Sequence, residues 1–393
     1  MLEANFPPWP YYAEDEISAV SEVLRSGCVN YWTGDIIKDF EREFSRYVGT
    51  EYAIALSNGT VAIDLALHAL EIGKGDEVIV TSRTFIATAS SIALAGAVPI
   101  FADVDAISQN ITADTIAACI TKKTKAIILV HLAGWPCDMD PIMALAKEKG
   151  LFVIEDCAQA HGASYKGQKV GSMGDIATFS FCQDKIISTG GEGGMLVTNN
   201  KDYFERAWSF KDHGKNNALC SEKGNGISFR WLHESLGSNY RITEMQAAIG
   251  RKQMEKLPAW TDSRNQNASQ LNSYFLDNEK IRAYLPPENC RHAYYKYYAF
   301  IDYNVAPELV GKRDLIVSGI REKGVPCFTG SCSEVYREKA FDFLGLGDSF
   351  YLPVARQLGE SSIMFLVHPT LETEHMHKTI SAVEATLKEI TKP

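Results

Sequence analysis

Apolar residues run through the first two thirds of the chain in two alternating rhythms. One is helical: Phe40, Phe44 and Tyr47 recur at three- and four-residue spacing, and Gly49 closes that segment. The other is a short unbroken run, seen in Ala53-Ile54-Ala55-Leu56, Val78-Ile79-Val80, Val98-Pro99-Ile100-Phe101, Ala126-Ile127-Ile128-Leu129-Val130 and Leu151-Phe152-Val153-Ile154. Helical stretches lie between these runs. One carries Ile63, Leu65, Ala66, Leu67 and Leu70, and another spans about 85 to 96. Near-continuous apolar strands separated by helices predict an α/β fold with a mostly parallel sheet covered on both faces. A further strand alternates Ala177, Phe179 and Phe181 with Thr178 and Ser180.

The pattern changes near residue 250. The spacing predicts a helix from Asn239 to about Leu257, then a more polar helical stretch through Asp277, interrupted downstream by Pro286-Pro287. His292 to Tyr303 is aromatic and strand-like, and Glu372 to Lys388 is amphipathic. This organisation predicts a large α/β domain over 1–257 and a smaller C-terminal α+β domain over 258–393, in keeping with a 393-residue chain.

Bulk properties narrow the function. The formal net charge of −10 argues against nucleic acid as a partner, because phosphate backbones favour basic surfaces. No run of about 20 apolar residues indicates a membrane span. The start Met1-Leu2-Glu3-Ala4-Asn5-Phe6 lacks the basic and apolar blocks of a leader. The nine cysteines are scattered and odd in number, which fits a reduced, cytoplasmic protein better than a disulfide scaffold. No Cys-x-x-Cys pair occurs, Cys327 and Cys332 lack nearby histidines, and no metal site is expected.

Ligands of such sheets bind beyond the carboxyl ends of the strands. Two groups fall there: Asn58-Gly59-Thr60 after one apolar run, and Glu155-Asp156 after another. Lys185 follows the alternating strand and precedes the turn Gly190-Gly191-Glu192-Gly193-Gly194. A lone lysine is far more often a solvated surface group than a reactive one. Its setting, 29 residues beyond Asp156, suits an amine and a carboxylate that face one aromatic ring from opposite sides. Pyridoxal phosphate (PLP) chemistry needs that pair: a lysine to form a Schiff base, and an acid to hold the pyridine nitrogen protonated. Asp156 as a mere helix cap is the poorer account, since Cys157 to Gly162 is short and ends in glycine. Gln159 would bond the ring hydroxyl or lie against the ring, or else be a surface amide. Gly59 and Thr60 are suited to cradle a phosphate at a helix start, or to form a plain N-cap. Ser180, five residues before Lys185, is placed to donate to the same phosphate. Phe85 would stack on the ring, or be a core aromatic, the commoner case.

Together these residues resemble the DegT/StrS-type sugar aminotransferases, a branch of the fold-type I PLP enzymes. The resemblance runs through nearly the whole chain. It includes Trp32-Thr33-Gly34, Gly73-Lys74-Gly75-Asp76-Glu77-Val78, Asp138-Met139-Asp140, the Asp156 and Lys185 segments, Gly237-Ser238-Asn239-Tyr240-Arg241 and Leu366-Val367-His368-Pro369. It implies Lys185 as the Schiff-base residue, Asp156 on the pyridine nitrogen, Gln159 beside the ring, and Gly59, Thr60 and Ser180 on the phosphate. It further implies a homodimer in which Asn239 reaches the neighbouring subunit's phosphate. The reaction implied moves an amino group from glutamate to C3 or C4 of a nucleotide-linked keto-sugar. A sister group of dehydratases carries histidine in place of Lys185, which disfavours that branch. Cys182-Gln183-Asp184, Ala133-Gly134-Trp135 and Cys327 to Cys332 depart from the commonest pattern, at positions where a substrate would be read. Two further readings are amination of a free keto-cyclitol or related ketone on the same scaffold, and a regulatory protein that binds PLP without turnover. The intact Lys185 and Asp156 pair argues against the latter.

Overall fold

The computed structural model describes residues 5–221, 230–347 and 350–391. Met1 to Ala4, the start of the segment expected to lack leader features, lie outside the described residues. Helices α1 (Glu14–Ser26) and α2 (Ile36–Val48) come first. Strands and helices then alternate: β1 (Tyr52–Leu56), α3 (Gly59–Ala69), β2 (Glu77–Thr81), α4 (Ala87–Leu94), β3 (Val98–Ala102), α5 (Ala113–Ala117), β4 (Thr124–Val130), α6 (Met139–Lys149) and β5 (Phe152–Asp156). A short hairpin, β6 (Ser164–Tyr165) with β7 (Gln168–Lys169), leads to β8 (Ile176–Ser180), β9 (Gly194–Thr198), α7 (Lys201–Lys211), α8 (Asn217–Ser221) and the long α9 (Glu244–Phe275). The remainder comprises β10 (Ile281–Arg282), β11 (Cys290–Arg291), β12 (Tyr297–Ile301), α10 (Arg313–Glu322), β13 (Cys327–Phe328), α11 (Pro353–Ser361), β14 (Ser362–Phe365) and α12 (Thr373–Ile390).

Seven strands form one sheet in the order β1-β9-β8-β5-β4-β2-β3. Only β9 runs antiparallel to its neighbours, so the sheet is mostly parallel, as the unbroken apolar runs predict. Phe40 and Phe44 of α2 pack against Phe179 and Phe181 at β8. A second, antiparallel sheet has the order β10-β12-β14-β13. Its core joins Ala299, Ile363 and Phe365 to Ile316, Met376 and Val383 of α10 and α12. Among the described residues no helix is long and apolar enough to cross a membrane.

The structure moves the start of one helix. The helix expected from Asn239 starts at Glu244, because Thr243 is its cap: the Thr243 hydroxyl accepts from Gln246 N, and Gln246 Oε1 accepts from Thr243 N at 3.0 Å. Asn239 lies before the helix, in a bridge to Asp212, and Arg241 bridges to Leu56. The expected boundary at 257/258 falls inside α9, which continues through Pro258. Ala247 and Leu257 belong to the core of the large sheet, and Ala268, Leu271 and Phe275 to the second core. Val335, Tyr336 and Phe341 return to the first core from beyond β13.

Candidate active site

The carboxyl ends of β1, β8, β5, β4 and β2 open on one cavity of about 1340 Å³. Gly59, Thr60, Phe85, Asp156, Gln159, Ser180 and Lys185 all line it. Asn239 does not. It is exposed outside the cavity, where its Oδ1 accepts from Arg241 N at 3.4 Å. Since Thr243 caps α9, Asn239 does not cap that helix.

Asp156 ends β5 and is almost fully buried. No helix follows for it to cap. Instead Oδ1 accepts from Ala158 N at 3.0 Å, and Oδ2 accepts from the Thr88 hydroxyl at 2.9 Å. Thr84 Oγ1 lies 3.0 Å from Thr88 Oγ1. The Thr88 proton is committed to the carboxylate, so Thr84 is the donor in that contact, and a relay Thr84–Thr88–Asp156 results. Burial raises the Asp156 pKa, opposed by the bonds from Ala158 and Thr88 and by the charge of Lys185. Thr88 was not singled out from sequence. Its four-residue spacing from Thr84, on one face of a helix start, was the available signal.

Lys185 sits in a tight turn, with its N–H donating to Cys182 O at 3.0 Å and its carbonyl accepting from Trp9 Nε1 at 2.8 Å. Its ammonium lies 5.0 Å from the centre of the Tyr295 ring and 3.8 Å from Asp184 Oδ1. The Tyr295 hydroxyl donates to Asp184 Oδ2. Burial works to raise the Asp184 pKa, but Lys185, the Tyr295 hydroxyl and Lys296 together hold it below the ordinary carboxylate value. Asp184 thus ties the lysine turn to the segment before β12. Nothing local in the sequence places Tyr295 and Lys296 near Lys185.

At the other end, α3 begins under the cavity. Its cap is Asn58, whose side chain accepts from Val61 N at 3.0 Å. The amides of Gly59 and Thr60 therefore precede the first intrahelical bonds, and the Thr60 hydroxyl is not used as the cap. A Cβ at Gly59 would lie 2.6 Å from Ser180 Cβ, so glycine permits the close approach of helix and strand. This cradle of amides and hydroxyls fits a phosphate. Asp156 and Lys185 fit the nitrogen and aldehyde of a pyridine cofactor, so the lining as a whole suits PLP. Gln159 is buried, with its Oε1 accepting from Ala133 N at 2.8 Å, and so is no surface amide. Phe85 is 66% exposed, which excludes a core role.

Near the floor, His131, Glu155 and Cys157 are buried within 4.8 Å of one another. Cys137 N donates to His131 Nδ1, so His131 Nε2 carries the proton it shares with Glu155 at 3.0 Å. Glu155 also accepts from Gly171, Met173 and Gly174. These bonds satisfy the cluster as a brace between β4, β5 and the loop before β8.

Residues 10–384 match the DegT/DnrJ/EryC1/StrS aminotransferase family. A GDP-perosamine synthase of Escherichia coli O157:H7 is 45% identical over 247 residues, 63% of this chain and 65% of that protein. A UDP-N-acetyl-3-dehydro-alpha-D-glucosamine 3-aminotransferase of Acidithiobacillus ferrooxidans is 34% identical over 98% of this chain and 96% of its own length. The crystal structure of an aminotransferase from Psychrobacter cryohalolentis, 51% identical, superposes with a TM-score of 0.94 and covers 98% of this chain and all of its own.

Proposed function

The chain belongs to the DegT/DnrJ/EryC1/StrS family of PLP-dependent, fold-type I aminotransferases, and from that premise we propose that it transfers an amino group from glutamate to C3 or C4 of a nucleotide-linked keto-sugar. What supports the reading most is that Lys185, Asp156, Gln159 and the Gly59–Thr60–Ser180 cradle meet on one cavity. Its volume, about 1340 Å³, exceeds that of an ordinary small-ligand pocket, about 300–1,000 Å³. That space suits a cofactor together with a sugar bearing a nucleotide better than a cofactor with a free cyclitol. Two of the similar proteins act on nucleotide-linked sugars by name.

When bound, PLP supplies the electron sink that allows nitrogen to leave one carbon and join another. The residues of this chain supply the rest. Lys185 would hold the cofactor through its Nζ, and the same amine would move the proton at the carbon bearing the amino group. Asp156 would keep the pyridine nitrogen protonated, and Thr88 favours the charged form of that carboxylate against the effect of burial. Gln159, fixed by Ala133 N, and the exposed Phe85 would flank the ring from the cavity wall. Gly59, Thr60 and Ser180 bind the phosphate, completed by Asn239 from a second copy in a homodimer. The setting is cytoplasmic.

The test is a panel of nucleotide keto-sugars and a free keto-cyclitol, each incubated with glutamate and read by mass spectrometry. Amination of a nucleotide keto-sugar is the expected result. Amination of the cyclitol alone would overturn the acceptor assignment. A holoenzyme whose visible spectrum ignores glutamate would overturn catalysis from that donor.

A further inference from the structure

Two lysines line the cavity, and among the described residues no arginine does. Lys185 has Asp184 at 3.8 Å. Among the described residues Lys296 has no carboxylate within ion-pairing distance and no hydrogen-bond partner; its contact is the Tyr295 ring, whose centre is 4.8 Å from its Nζ. Both ammonium groups therefore border the same ring, Lys185 at 5.0 Å. Lys296 immediately precedes β12, so its backbone is fixed by the second sheet. Behind it lies Arg264, fully buried, with Nε and Nη2 unpartnered and Nη1 shared between the carbonyls of Tyr294 and Tyr295. Arg264 lies over the Trp9 ring at 5.0 Å, and that ring stacks on His368 at 5.7 Å. A half-buried ammonium that feels Asp184 only from beyond ion-pairing distance, with Arg264 and Lys185 also near, is an incomplete arrangement, and an anion arriving from the cavity completes it.

We propose that Lys296 anchors the α-carboxylate of the amino-acid donor. This rests on the aminotransferase reading above and deepens it. The deciding argument is proximity to Lys185. The α-carboxylate is bonded to the carbon whose amino group is transferred, so it is confined to the neighbourhood of the Lys185 ammonium. The diphosphate of a nucleotide sugar hangs from the anomeric carbon and is separated from a C3 or C4 ketone by the sugar ring. An ammonium that borders the same Tyr295 ring as Lys185 is placed for the first anion and set back from the second. Burial, followed by the charges of Arg264 and Lys185, pushes the Lys296 pKa down to about 8, with Asp184 opposing. The ammonium is thus poised to gain from a carboxylate.

The holoenzyme makes the two half-reactions separable by its visible spectrum: conversion by L-glutamate, and reconversion by the keto-sugar. Lys296→Met is expected to raise the half-saturating L-glutamate concentration about ten-fold or more, with the loss concentrated in that half-reaction. Lys296→Arg is expected to recover much of it, which separates loss of charge from misfolding. L-Glutamine, which keeps the α-carboxylate and lacks the γ, should be weakened by Lys296→Met to the same degree. A loss that falls on the keto-sugar half-reaction, or on both equally, overturns the assignment in favour of the diphosphate or of a general effect. An unchanged glutamate dependence overturns it outright, and so does weakening of glutamate with glutamine spared, which would place the γ-carboxylate there. A wild-type holoenzyme indifferent to glutamate sinks the donor reading and this inference together, whereas failure confined to the variant comparison sinks the inference alone.

Discussion

The relay into Asp156 offers a quantitative test of how the cavity controls its carboxylate. Thr88→Val keeps the shape of the side chain and removes the hydroxyl that donates to Asp156 Oδ2 at 2.9 Å. Asp156 is buried and retains the bond from Ala158 N at 3.0 Å. Its pKa is already raised by burial, and the Thr88 bond is one of the interactions opposing that rise. A hydrogen bond to a charged group contributes about 1.5–3 kcal/mol. Loss of that stabilisation shifts Asp156 toward its neutral form, which is a poorer partner for a protonated pyridine. If the whole contribution is felt in the rate-limiting proton transfer, the glutamate half-reaction slows by a factor of about 10–150. Rapid-mixing absorbance of the holoenzyme with saturating glutamate measures it directly.

A merely structural role for Thr88 predicts something different. Thr84→Ala removes the other member of the relay and leaves the Asp156 bond in place. Packing damage would affect both variants alike. An electrostatic role makes Thr88→Val much the slower and moves the acid limb of its pH profile to higher pH, since the Asp156 pKa rises further. Equal rates in wild type and Thr88→Val, or equal slowing in both variants, would refute the relay.

Four further outcomes are expected. Lys185→Ala should lose the yellow absorbance of the purified holoenzyme while circular dichroism stays native; a retained band would place the covalent link on another lysine. Gly59→Ala brings a Cβ to 2.6 Å from Ser180 Cβ, so we expect about 1–3 kcal/mol of destabilisation in denaturant titration and weaker PLP retention, and unchanged values in both would remove Gly59 from the cradle. The Lys296 ammonium faces Asp184, which favours its proton, and Lys185 and Arg264, which disfavour it. With a pKa of about 8, half-saturation by glutamate should climb as pH rises through that value and flatten in Lys296→Arg, and a wild-type profile with no rise there counts against the anchor. Lys185→Ala and Asn239→Asp homodimers should each be weak, yet regain activity when unfolded together and reassembled; confirmed mixed dimers without recovery would mean that each site is built from one chain.

What the sequence made legible is the half of the site that rests on strand ends. Strands buried on both faces read as unbroken apolar runs, so their carboxyl ends, and hence Gly59, Asp156 and Ser180, could be located by local pattern. The start of α9 was misplaced even though the Thr243 and Gln246 capping pair was visible, because Tyr240 and Ile242 extend the apolar spacing upstream. Tertiary contacts decide that segment: Tyr240 N donates to Lys211 O, Ser57 N donates to Tyr240 O, and Arg241 pairs with the buried Asp212 at 2.7 Å. Those contacts leave Asn239 exposed where a helix would have used it as a cap.

The other half of the cavity has no such local signature. Asp184 looks like an ordinary polar turn residue until Tyr295, 111 residues away, bonds to it. Tyr298 and Ser331 are equally remote in pattern, yet the Tyr298 hydroxyl accepts from Ser331 N at 2.9 Å and Thr84 N donates to Cys332 O at 3.1 Å. The segment 329–332 is thereby pinned over the carboxyl end of β2, beside Phe85. The division has a chemical logic. Asp156 and Ser180 end strands and Gly59 follows one closely, where backbone position is rigid and sequence signals are local. The segments around 295 and 330 close the same cavity from the second sheet, held there by long-range contacts that no local pattern announces.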